Sequence, residues 1–273
     1  MPAFTTSDNV TIHYEDKGEG FPLVLVHGWA MSGTVWAFQN ELAASFRLIT
    51  ADLRGHGGSS ASETDYSFAA FAADLAALFD HLRLERAALL GWSLGAQVAL
   101  EAIRHLNDRV AALVIVAGTP RFTAAPDWSH GLPAADVRGL ALRLRRAYDA
   151  TLGDFFRRMF VEGELSAKQN QRIVREIVIP RPLPDPGAVL ATLDTLAGGD
   201  HRQMLAAVTC PSLVIHGDRD AVCVPGAGRF MADHIPDACM ATMDGVGHAP
   251  FLSRPELFNG MVNRFLREVA IHD

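Results

Sequence analysis

Ser93 stands between two glycines in the stretch LLGWSLGAQVAL, residues 89–100. An apolar run precedes it, and a helix-forming run, AQVALEAI, follows. A turn from a buried strand straight into a helix is sharp, and glycines at 91 and 95 let neighbouring backbone approach closely. The turn pushes the serine out above the sheet, at a helix N-terminus whose free N–H groups favour developing negative charge. The same pattern could serve merely as a helix cap between turn glycines. A serine hydroxyl is a poor nucleophile without a base, and the base needs an orienting carboxylate. Among eleven histidines, His248 in DGVGHAPF (244–251) follows the last strand signal in a small-residue loop, and it is the expected base. LVIHGDRDAVCVP (213–225) ends another strand with two aspartates. Asp220, in G-x-x-D spacing from Gly217, is the expected orienting acid, and Asp218 the expected loop cap. Nucleophile, acid and base thus each follow a strand, where open parallel sheets place their sites. The chemistry is acyl transfer through a serine ester. It needs an oxyanion hole, for which the backbone N–H groups of Leu94 and of Trp29, in VLVHGWA (24–30), are the expected donors. His27 is expected to hold backbone rather than exchange protons, and His56, in the Gly-rich turn LRGHGGSS, to take no catalytic part.

These residues need a scaffold. Short, near-continuous apolar runs read as strands covered on both faces: VTIHYED, PLVLVHG, RLITAD, AALLGW, AALVIVAG, PSLVIHGD and CMATMDG. Helix-like segments lie between them, including 66–82, 94–106 and 255–270. The alternation predicts an α/β fold with a mostly parallel, doubly wound sheet. The rhythm breaks from about 120 to 200, in a helical, Arg-rich stretch punctuated by IPRPLPDPG (179–187). The expected organisation is a core of residues 1–120 and 201–273 with an inserted helical cap at 121–200.

Composition narrows the function. The chain has 273 residues, 49% hydrophobic and 20% charged, enough for a large core. No run reaches the roughly 18 apolar residues of a membrane span. The N-terminus, MPAFTTSDNV, has neither a basic start nor an apolar signal region. Cys210, Cys223 and Cys239 show no C-x-x-C spacing and read as reduced core residues, which fits a cytoplasmic location. A net charge of −7 argues against nucleic-acid binding. No glycine-rich stretch continues as a phosphate loop, and no histidines stand in H-E-x-x-H spacing, so neither metal nor cofactor is expected. Residues 121–182 hold 11 Lys/Arg and 7 Asp/Glu, a net of +4, whereas the remainder holds 13 and 24, a net of −11. A basic cap on an acidic body suits docking of an anionic partner. Arg138, Arg143, Arg145, Arg146, Arg157, Arg158, Lys168 and Arg172 are the candidates.

HGWAMSGTVW, DLRGHGGS, GWSLGAQVAL, HGDRDAVCVP and GHAPFLSRPELF fall in the order and spacing of the α/β-hydrolase fold family, which the chain resembles over nearly its whole length. A serine at 93 separates it from the dehalogenase and epoxide hydrolase branches, which carry Asp there. More narrowly, HGWAM, GWSLG, VAGTPRF followed by PDW, GHAPFLSRPELF and LATLDTLAGGDHRQML (190–205) resemble the pimeloyl-acyl carrier protein methyl ester esterases of biotin synthesis. That resemblance implies a substrate site lined by Trp29 and Leu94. It also implies an apolar cap helix around FFRRMF (155–160), with Phe156, Met159 and Phe160 over the acyl chain, and an acyl carrier protein as partner of the basic cap. The expected function is a serine carboxylesterase acting on an acyl methyl ester. A short-chain esterase, lactonase or C–C hydrolase of the same fold is the enzymatic alternative, and a small-molecule receptor the non-enzymatic one.

Overall fold

The computed structural model describes residues 2–63, 65–179 and 184–269, so part of the proline-rich break at 179–187 lies outside the described residues. Its strands are β1 (Ala3–Thr5), β2 (Thr11–Lys17), β3 (Pro22–Val26), β4 (Arg47–Ala51), β5 (Ala87–Trp92), β6 (Val110–Val116), β7 (Ser212–Gly217) and β8 (Ala238–Met243). They form one sheet in the order β1-β2-β4-β3-β5-β6-β7-β8. The pairs β1/β2 and β2/β4 are antiparallel, and the rest of the sheet is parallel. All seven apolar runs became strands. Only β1 had no sequence signal, being three residues long and mostly exposed.

In the central strands the absence of strict alternation follows from two covered faces, whereas β2 alternates in burial and the edge strand β8 is mostly half-buried or exposed. Val24 and Val26 of β3 enter one apolar cluster, and Leu23 and Leu25 enter the other. In β5 and β6, Leu89, Leu113 and Ile115 belong to the first, and Leu90, Val114 and Val116 to the second. The first face is covered by α1 (Phe68–His81), α2 (Leu94–Leu106) and α7 (Pro225–His234). The second is covered by a 3₁₀ segment, Gly33–Ala44, and by α8 (Pro250–Ser253) and α9 (Pro255–Val269). Between β6 and β7 run α3 (Ala134–Arg146), α4 (Tyr148–Arg158), α5 (Ala167–Ile173) and α6 (Pro186–Gly198). A π turn, Val174–Val178, continues α5. Helix α3 packs on α4 and α6. Among the described residues no helix is long and apolar enough to cross a membrane.

The chain steps from β3 outward to β4 and returns on the other side of β3 as β5. The carboxyl ends of β3 and β5 therefore flank the crevice where open α/β sheets bind ligands. Residues 27–30 and 93–94 sit at those two ends. Helix α2 can start there because Gly95 lets it lie against β3: a β-carbon on Gly95 would stand 2.3 Å from Val26 O and 2.7 Å from His27 O. Gly91 faces the same constraint, 2.3 Å from Gly95 O. Gly95→Ala is accordingly expected to cost about 1–3 kcal/mol of stability, as overpacking against rigid backbone does. Gly198→Ala, whose β-carbon would meet nothing within 4 Å, is the control and should change stability by less than about 0.5 kcal/mol. Chemical denaturation of both variants measures the difference.

Candidate active site

Ser93 is the N-cap of α2, with φ 56° and ψ −112°, a conformation L-residues rarely adopt. Its N–H donates to Val116 O at 3.0 Å, and its carbonyl accepts from Ala96 N at 3.0 Å. The strand behind and the helix ahead thus fix the strained turn from both sides. The residue sits at the end of β5 beside the crevice, with 8% of it exposed.

His248 and Asp220 meet across the ends of β7 and β8. His248 Nδ1 donates to Asp220 Oδ2 at 2.8 Å, with both side chains buried. The other carboxylate oxygen, Oδ1, accepts Val222 N at 2.8 Å and Cys223 N at 2.9 Å. His216 Nε2 lies 3.3 Å from Oδ2 and 2.8 Å from Cys223 O. Burial alone would raise the Asp220 carboxyl. The neighbouring His248 and His216, by charge and hydrogen bond, outweigh burial and hold it well below the usual carboxylate range. Two contacts bring Ser93 to this pair. The indole of the adjoining Trp92 donates to His248 O at 2.9 Å, and its ring centroid lies 5.5 Å from the imidazole. The Cys223 thiol stands beside Ser93. Burial first, then the Asp220 carboxylate, push that thiol well up, which keeps it neutral beside the serine. Among the described residues the Ser93 hydroxyl makes no hydrogen bond to His248, a contact that commonly tightens only with substrate in place.

The other expected residues divide. Asp218 stands off from the imidazole, and its Oδ1 accepts Gly245 N at 2.7 Å and Val246 N at 3.3 Å. His27 holds backbone through both ring nitrogens: Nε2 accepts from Leu53 N at 2.9 Å, and Nδ1 donates to Gly28 O at 2.8 Å. His56 Nδ1 donates to Arg54 O at 3.0 Å. Leu94 is the first residue of α2, so its N–H has no acceptor a turn earlier in the helix. It lies beside the loop that carries Trp29, which Asp52 braces by accepting Gly33 N at 2.6 Å and Gly58 N at 2.8 Å. The Trp29 ring reaches into the inserted helices, donating to Val189 O at 2.9 Å and packing edge-on against Phe155 at 4.9 Å.

Phe156, Met159 and Phe160 do not share that position. Met159 is 1% exposed and packs in the second apolar cluster. Phe156 and Phe160 stack edge-to-face at 5.7 Å and line an outer groove with Arg143, Arg157 and Val161. The residue of this segment that meets Trp29 is Phe155. It also lines a cavity of about 250 Å³ with Phe122, Leu132, Val137, Leu140 and Val222. Arg143 and Arg158 belong to the same lining, which begins one residue beyond Asp220, at Ala221. No sequence pattern marks Phe155, Trp92 or Glu164. Helical phase separates Phe155 from Phe156, but only the docking of α4 decides which faces inward.

A family model for the alpha/beta hydrolase fold matches residues 22–255. The chain belongs to the α/β-hydrolase fold family. Within that family it is similar to relatives named pimeloyl-(acyl-carrier protein) methyl ester esterase. The one from Aliivibrio salmonicida is 33% identical over 261 residues, covering 94% of this chain and 96% of the relative. The one from Nitrosomonas europaea is 36% identical over 249 residues, covering 91% and 96%. Among solved structures, an esterase from Exiguobacterium antarcticum is similar with a TM-score of 0.90 at 25% identity, covering 97% of this chain and 98% of that one.

Proposed function

We propose that this protein is a cytoplasmic serine carboxylesterase that cleaves the methyl ester of a pimeloyl chain held on acyl carrier protein, through an acyl-enzyme on Ser93. The observation that carries the chemistry is the left-handed Ser93 turn beside the buried His248–Asp220 pair. The names of the relatives supply the substrate. In this reading His248 Nε2 takes the Ser93 proton as the oxygen attacks the ester carbonyl. Asp220 keeps Nδ1–H pointed away and stabilises the imidazolium. The N–H groups of Leu94 and Trp29 receive the oxyanion. The proton then leaves with methanol, and a water activated by the same imidazole frees the acid. The helices at 121–200 act as the cap, with Trp29 and Phe155 as the apolar wall of the acyl site. Turnover of a chromogenic ester separates this reading from a receptor that keeps its triad unused.

The cap's charge supports the carrier. Arg138, Arg143, Arg145, Arg146, Arg157, Arg158, Lys168 and Arg172 are all exposed. Arg157 pairs with Asp154, and Arg172 with Glu176 while lying 4.1 Å over the Phe38 ring. The others make no ion pair among the described residues, which leaves them open to an acidic partner. Exposed charges contribute about 0.5 kcal/mol each. Neutralising Arg145, Arg146 and Lys168 together should therefore raise KM for a carrier-bound ester about tenfold and leave a small free ester unaffected. Because such charges are screened over about 8–10 Å at physiological salt, added salt should weaken only the carrier reaction. Equal salt sensitivity of both substrates would remove the carrier and leave a general carboxylesterase.

A further inference from the structure

The loop that carries His248 is held from two sides. Four consecutive backbone N–H groups, from Gly245 to His248, each have an acceptor. Asp218, on the core, takes the first two. The segment that follows α4 takes the other two: Glu164 Oε2 accepts Gly247 N at 3.0 Å, and Met159 O accepts His248 N at 2.7 Å. The approach is close because residue 247 is glycine, where a β-carbon would stand 2.4 Å from Met159 O. Glu164 also closes its own segment. The same Oε2 accepts Val161 N at 2.7 Å, and Glu164 N donates to Val161 O at 3.0 Å. Arg254, between α8 and α9, anchors the Glu164 carbonyl at 3.1 Å. Glu164 is 6% exposed, and among the described residues its Oε1 is buried with no hydrogen-bond partner. A buried carboxyl group with one oxygen unpaired is a costly way to join two loops, since leaving a buried polar atom unpaired costs about 1–3 kcal/mol.

We propose that Glu164 is a positioning residue for the reaction: it ties the inserted helices to the His248 loop, so that the imidazole is aimed only while those helices are seated on the core. This rests on His248 being the base. Glu164 makes no hydrogen bond to Ser93 among the described residues, and it acts through the backbone immediately before the imidazole. Small displacements of a catalytic group are costly, about 10²-fold for an error of about 1 Å. Glu164→Ala should therefore lower kcat on a small chromogenic ester by about 10- to 100-fold and leave KM nearly unchanged. Glu164→Gln keeps an oxygen at the acceptor position and should restore most of the rate. The low-field proton resonance of the His248–Asp220 hydrogen bond should broaden or shift in the alanine variant and return in the glutamine one. If the alanine variant does not fold, Glu164→Asp carries the same test, because it keeps the charge and withdraws the acceptor by one methylene; it should behave as alanine was expected to. Wild-type kcat and an unmoved resonance in Glu164→Ala, or an equal loss in alanine and glutamine variants, would overturn the proposal. His248→Ala in the same assay isolates the premise: activity surviving there refutes the base itself, whereas an inactive His248→Ala beside an unimpaired Glu164→Ala refutes the positioning role alone.

Discussion

Ser93→Ala is expected to reduce ester hydrolysis to background, a loss on the order of 10⁶-fold in kcat, and to leave the fold in place. Ser93 is held at φ 56° by a hydrogen bond from its N–H to Val116 O and by the start of α2, neither of which uses the side chain. Alanine has a β-carbon like serine, so the strain of the turn is unchanged. The melting temperature should therefore move by no more than a few degrees while activity disappears. Labelling by a serine-directed phosphonate should disappear with it. Labelling of the alanine variant at the wild-type rate would place the nucleophile elsewhere.

His248→Ala is expected to cost about 10⁴-fold or more, and the double variant with Ser93→Ala no more than the worse single change, because base and nucleophile act as a unit. Asp220→Asn should cost as much or less, by releasing the imidazole from the orientation fixed by the 2.8 Å bond at Nδ1. Asp218→Asn should cost little, since an amide oxygen can still accept from Gly245 and Val246. If Asp218→Asn is the crippling change, the acid has been misassigned. Asp220 also makes a pH prediction. Its folded pKa is depressed, so its stabilising contribution is complete above the unfolded carboxylate value of about 3.9 and is lost as pH falls toward the folded one. Asp220→Asn should flatten the acid side of the melting-temperature curve.

The parts of this site that were legible in the sequence are those fixed by local pattern. Ser93 is bracketed by two glycines that the packing of α2 on β3 requires, Asp220 follows a strand whose two buried faces wrote an unbroken apolar run, and His248 follows the last, half-buried strand in a small-residue loop. What was not legible is tertiary. The Glu164–Gly247 bond joins residues 83 positions apart, and the Trp92–His248 bond residues 156 apart. No spacing rule reaches that far. The cap aromatics are ambiguous for a different reason. Phe155 and Phe156 are neighbours about 100° apart around α4, both apolar, and composition cannot say which side docks. Only the seating of α4 against Trp29 makes Phe155 the inward one. The π turn at Val174–Val178 likewise has no breaker residue to announce it.

The most direct measurement is rapid-quench mass spectrometry of the wild-type protein while it turns over a slowly deacylating ester. An acyl mass added to the peptide that contains Ser93, appearing before free acid accumulates and absent from Ser93→Ala, is the expected result. Turnover with no acyl adduct, or with the adduct on any other residue, would contradict it.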